Sequence, residues 1–99
     1  MQRKLRYGTA AIAQGAQVVA VYANRGAAWR KKKDMTRAIA DFARALEIAP
    51  RDVDTLLARG WTWTLMGKYE SAIADCDAAL AVEPRHKAAL RSRGLANFY

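Results

Sequence analysis

Four consecutive cations, Arg30-Lys31-Lys32-Lys33, form the most unusual local feature of this chain. Such a run suits contact with an acidic peptide, nucleic-acid phosphates or an anionic membrane surface. Arg3, Lys4 and Arg6 add to it if the first segment folds nearby. The same lysines would serve equally in a solvated turn, facing the carbonyls at a helix C-terminus. Catalytic sets are harder to assemble. The chain has one His and one Cys, so no second ligand stands at metal-binding spacing. Cys76 falls where a medium apolar residue packs, which reads as a core cysteine. His86 reads as a solvated junction residue. Ser71 and Ser92 have no base beside them, and the glycines form no phosphate loop. The reading is therefore of a non-enzyme, with no catalytic residues, no metal and no cofactor.

These residues sit in a 99-residue chain of net charge +8. Residues 1–51 hold eleven Lys/Arg and three Asp/Glu, a balance of +8, whereas residues 52–99 hold six of each. A field so one-sided favours acidic partners. A lone cysteine gives no disulfide framework. No run approaches the roughly 18 apolar residues a spanning helix needs. The basic start followed by the small, apolar stretch 10–23 has some features of an export leader, but Gln14, Gly15 and Gln17 interrupt it. A cytoplasmic location is expected, with export by residues 1–23 as the alternative.

The elements that position the cations are set by an internal repeat. Shifted by 34 residues, the chain matches itself at 12 of 34 positions. Arg25-Gly26 falls on Arg59-Gly60, Trp29 on Trp63, Ala38-Ile39-Ala40-Asp41 on Ala72-Ile73-Ala74-Asp75, Ala45-Leu46 on Ala79-Leu80, and Pro50-Arg51 on Pro84-Arg85. A further step puts Leu56 on Leu90 and Arg59-Gly60 on Arg93-Gly94. Gly26, Gly60, Ala38 and Ala72 are small where helices must cross closely. Trp29, Trp63, Phe42, Leu46 and Leu80 supply bulk between them. Pro50 and Pro84 stand where a helix has ended. Asp52 and Asp54 follow as N-cap candidates.

The period and the places of Leu56, Gly60, Trp63, Gly67, Tyr69, Ala72, Cys76, Ala79 and Pro84 resemble the tetratricopeptide repeat (TPR). So do Tyr22, Gly26, Trp29, Ala38, Phe42, Ala45 and Pro50 in the preceding unit. Arg25, Arg59 and Arg93 stand where the family most often has Leu; Arg-Gly there is familiar in bacterial members. The resemblance implies an all-α helix–turn–helix array, a right-handed superhelical α-solenoid. Residues 19–52 and 53–86 are read as full units, with helices near 20–32, 36–48, 54–66 and 70–82. Residues 87–99 are read as the first helix of a truncated third unit. Residues 1–18 are read as the second helix of a degenerate earlier unit, with Leu5, Tyr7, Ala11 and Ile12 at core positions, or as a leader. One Arg per first helix and one Asp per second helix predicts ion pairs Arg25–Asp41 and Arg59–Asp75.

In this family the first helices line a concave groove for peptides or helices. By resemblance the lining is Ala20, Ala23, Ala27, Arg30 and Lys31, then Asp54, Leu57, Trp61, Thr64 and Leu65, then Arg91 and Leu95. Some relatives clamp a chaperone tail by its terminal carboxylate. The aligned places here read Ala23, Ala27, Ala58, Ala88 and Ser92, so that clamp is not implied. The expected function is a protein-interaction scaffold whose partner is a protein or peptide, with an acidic segment as the expected ligand. Two alternatives compete with it. Leu90, Leu95, Ala96, Phe98 and Tyr99 lack a covering helix, which fits a fragment of a longer array or a self-assembling module that pairs with another copy. Electrostatic nucleic-acid binding fits the charge, yet no nucleic-acid module is present and the tryptophans fall at core positions.

Overall fold

A computed structural model describes the backbone of residues 2–98 and the side chains of residues 15–98. Five α-helices follow one another: α1 (Gln2–Lys31), α2 (Met35–Ile48), α3 (Val53–Leu65), α4 (Tyr69–Val82) and α5 (Lys87–Phe98). Only three or four residues join each pair, so successive helices turn back on one another as hairpins. In chain order each helix packs on the next, and α3 also touches α1 and α5. The result is an elongated, flat array of 54 × 31 × 16 Å. No strand occurs among the described residues.

The turns explain the phase of the repeat. Asp34 is the N-cap of α2, and its carboxylate accepts from the Arg37 backbone N–H at 3.1 Å. Asp52 takes that place before α3, but its carboxylate accepts from the Thr55 hydroxyl and makes no cap bond to the backbone. Asp54 lies in the first turn of α3, where its charge favours the helix dipole. His86 caps α5 through Nδ1, which accepts from the Ala89 N–H at 3.2 Å. It is half-buried, not the solvated loop residue its sequence position suggested. The α1–α2 and α3–α4 turns carry Lys33 (φ 66°) and Gly67 (φ 77°) at equivalent places.

The buried set recurs at the 34-residue step: Ala38 with Ala72, Asp41 with Asp75, Phe42 with Cys76, Ala45 with Ala79, and Leu46 with Leu80. Leu46, Val53, Leu56, Leu80 and Ala89 form one cluster that joins both units to α5. Burial of this apolar surface is the main source of stability. Trp29 and Trp63 depart from expectation. Both are half-buried where full burial was expected.

α1 also departs from the sequence reading. It runs unbroken through the junction expected near residue 18. Ala16 stands where the other units have proline, and alanine continues a helix that proline would end. Residues 2–18 are thus continuous with the first helix of the next unit. The core roles expected for Leu5, Tyr7, Ala11 and Ile12 concern side chains outside those described.

Candidate binding groove

α1 and α3 stand side by side with a cavity of about 530 Å³ between them, bounded behind by α2. Ala16, Val19, Ala20, Ala23, Asn24 and Ala27 face it from α1. Asp54, Thr55 and Ala58 face it from α3, and Phe42, Ala49 and Asp52 close its floor and end. Residues three and four apart share one face of a helix, so the 16–20–23–27 spacing builds an alanine wall without any bend. Alanine leaves the volume open and offers apolar surface at little rotamer cost.

Of the residues expected to line the groove, Ala20, Ala23, Ala27 and Asp54 meet in this cavity. Arg30 lies at the far end of α1, half-buried, and its guanidinium reaches the Ala58 carbonyl of α3 at 3.5 Å. Lys31 is exposed one residue further. Trp61 and Leu65 are exposed on α3, and Arg91 and Leu95 on α5. Leu57 packs against the core cluster, and the Thr64 hydroxyl donates back to the Gly60 carbonyl at 3.1 Å. Those two support the wall more than they present a surface. Asn24, Asp52 and Ala58 were not anticipated, although the alternation of small residues along α1 was a usable signal for the face that holds Asn24.

The cation run divides between faces. Arg30 and Lys31 fall on the groove side of α1. Lys32 instead lies over the Trp29 ring, its Nζ 5.8 Å from the centroid. Lys33 is exposed in the turn.

Two ion pairs lock the helices of each unit. Arg25 donates from Nε and a terminal nitrogen to Asp41 at 2.7 and 2.8 Å, and Arg59 does the same to Asp75 at 2.8 and 2.7 Å. Both carboxylates are buried, while the arginines keep contact with solvent. Bidentate geometry fixes the angle between helices as well as their spacing. Arg93, at the equivalent place on α5, donates to Asp77 on α4 at 3.1 Å. The Arg25 hydrogen bonds hold the Asp41 carboxyl below its usual range, against the opposing effect of burial. Protonating Asp41 is therefore harder in the folded chain than in the unfolded one. The stabilisation is complete above the ordinary carboxylate pKa, about 4, and is lost as pH falls through the lower folded value. Thermal melts of wild type and Asp41→Asn across acidic pH should converge as the medium becomes more acid. A gap that stayed constant down to full acid unfolding would contradict the assignment.

Cys76 is buried in α4 with its sulfur facing Gly60 of α3. Burial pushes its thiol pKa up, which disfavours the thiolate that a nucleophile needs. No group of three or more potential metal ligands occurs among the described residues. No helix among them is long and apolar enough to cross a membrane.

Comparison with known proteins agrees with this geometry. Residues 19–52 match the family model described as tetratricopeptide repeat. No curated protein matches the chain. Among solved structures, the second TPR of Spaghetti (RPAP3), bound to the HSP90 peptide SRMEEVD, superposes with a TM-score of 0.81 at 25% identity, covering 86% of this chain and 79% of that one. The Sgt2 TPR domain from Aspergillus fumigatus gives 0.78 at 30% identity over 81% of this chain, which spans only 53% of that domain. The Arabidopsis OM64 TPR domain gives 0.76 at 29% identity, covering 90% and 74%. Residues 19–52 form a tetratricopeptide repeat, and the chain carries the helical-repeat fold of that family.

Proposed function

We propose that this chain is a protein-interaction scaffold, not an enzyme, and that it takes a short peptide or helix of a partner in the groove between α1 and α3. The observation that carries this reading is the alanine-walled cavity, flanked by charge of both signs. Asp52 and Asp54 border one end, and Arg30 reaches over from the other. A ligand that fits would place small apolar side chains in the cavity, an acidic group near Arg30 and Lys31, and a donor near the aspartates. Trp61 supplies a large contact surface of the kind that dominates interface energetics. Solved TPR structures with peptides support the class of ligand. The HSP90 tail itself is not favoured, since Ala23, Ala27, Ala58, Ala88 and Ser92 stand at the clamp positions.

The test is a peptide-display selection on the full chain, followed by titration of the enriched peptides. Trp61→Ala, or Arg30→Glu with Lys31→Glu, should weaken their binding at least tenfold, about 1.4 kcal/mol. Their melting temperatures should stay near wild type. Peptides whose binding ignores both changes would overturn the groove assignment.

A second reading has its own support. Leu90, Leu95 and Phe98 are exposed along α5, Phe98 at 84%. Such a face suits pairing with a second copy of the chain. Leu95→Glu with Phe98→Ser would then change the mass measured by light scattering and leave peptide binding intact.

A further inference from the structure

The side of α1 opposite the groove carries a separate constellation. At roughly 100° per residue, Ala20, Ala23 and Ala27 share one face, while Tyr22, Arg25 and Trp29 share the other. There α1 and α2 enclose a cleft of about 240 Å³, lined by Arg25, Trp29, Arg37, Ala40, Asp41 and Arg44. Arg37 lies 4.7 Å from the Trp29 ring centroid. Arg25 and Arg44 flank the Tyr22 ring at 5.5 and 5.8 Å. Lys32 lies over the Trp29 ring just outside this lining. Of the lining residues, Arg25, Arg37 and Arg44 give +3 and Asp41, bound by Arg25, gives −1, so the cleft keeps a net +2; Asp34, outside it, lies 3.5 Å from Arg37.

The second unit serves as an internal control. Stepping 34 residues on, Arg25, Trp29, Ala40 and Asp41 recur as Arg59, Trp63, Ala74 and Asp75. Lys32, Arg37 and Arg44 become Met66, Ser71 and Ala78, and Tyr22 becomes Leu56. The repeat therefore demands the Arg–Asp pair and the indole, but not the three added cations or the tyrosine. A guanidinium stacked on an aromatic face keeps its in-plane N–H donors directed outward. Those donors match a tetrahedral oxyanion, which they can fork in pairs. The aromatic rings hold the arginines in place before any ligand arrives, which lowers the ordering cost of binding.

We propose that the cleft between α1 and α2 binds a phosphate-type dianion, with Arg37 and Arg44 as the ligand-binding arms, Lys32 as a further charge, and Arg25 held in place by Asp41. The site is independent of the groove, so failure of one assignment leaves the other standing. Free phosphate and a phosphorylated side chain of a partner share this chemistry.

The test is titration of the full chain, at constant ionic strength, with inorganic phosphate, with a phosphoserine peptide and its unphosphorylated form, and with a single-stranded RNA oligomer. The indole N–H signals of Trp29 and Trp63 are followed by NMR. Phosphate should shift Trp29 saturably and leave Trp63 unmoved. Arg37→Gln and Arg44→Gln should each weaken binding about tenfold with unchanged melting temperature, whereas Arg85→Gln should not. A phosphopeptide that binds tighter than phosphate identifies a partner's phosphorylated side chain as the source; equal binding identifies the free anion. No saturable shift, equal shifts at both indoles, or binding of RNA alone would overturn the assignment.

Discussion

Replacing Phe42 by alanine should lower stability by about 3–5 kcal/mol, the range for emptying a buried aromatic site. Phe42 has no solvent exposure, its ring lies against Gly26, and it forms part of the groove floor. It is the largest fully buried side chain between α1 and α2, so its loss leaves a void that alanines on both sides cannot fill. Repeat arrays unfold unit by unit when one unit is weakened. The damage should therefore appear first at Trp29, with Trp61 and Trp63 holding their native signals to higher urea. Cys76 occupies the same place in the next unit and is smaller, so Cys76→Ala should cost about 1 kcal/mol, roughly what burying the one heavy atom removed, Sγ, is worth. Equal losses from the two substitutions, or a simultaneous collapse of all three indole signals, would contradict this account of the core.

The glycines at one repeat position should respond to alanine with opposite signs. A Cβ on Gly26 would lie 2.8 and 2.9 Å from the Phe42 ring, which is enclosed and cannot retreat. A Cβ on Gly60 would meet Ala72 O and Asp75 Cβ at 3.4 Å, and the Cys76 sulfur at 3.6 Å. At Gly94 nothing lies within 4 Å. Alanine gains about 1 kcal/mol over glycine in a helix interior, and overpacking costs about 1–3 kcal/mol. Gly26→Ala should thus destabilise by up to about 2 kcal/mol, Gly60→Ala should be close to neutral, and Gly94→Ala should stabilise by up to about 1 kcal/mol, from the same balance of propensity and overpacking. Denaturant midpoints of the three variants check the order. The cause is checked by placing Gly26→Ala beside Phe42→Cys, which gives the first unit the packing of the second. In that background the alanine should no longer destabilise. A penalty that persisted would place its origin elsewhere than the ring.

The repeat made much of this legible. Arg25 and Asp41 lie 16 residues apart, as do Arg59 and Asp75, and the structure joins each pair with two hydrogen bonds. Identity at a fixed offset says that two residues share an environment, but not how deep it is. Trp29 and Trp63 accordingly share half-burial where full burial was expected. Nor does the repeat report where its punctuation fails. Ala16 in place of proline lets α1 run on, and only the absence of a breaker could have signalled it. In the groove, Ala20, Ala23 and Ala27 of α1 came from the family resemblance. Asp52 and Ala49 did not, because they enter from the connection between units, where no periodicity applies. The cation run was visible as sequence, yet its division between faces depended on where α1 ended and on the aromatic ring beside it.

The groove assignment is tested most directly by chemical-shift mapping of the full chain with a display-selected peptide. The account predicts shifts concentrated at Ala20, Ala23, Ala27, Asp54, Ala58 and Trp61, with Leu90 and Leu95 unmoved. Shifts that instead followed Leu90, Leu95 and Phe98 along α5 would contradict it, and would make the exposed face of α5 the binding surface.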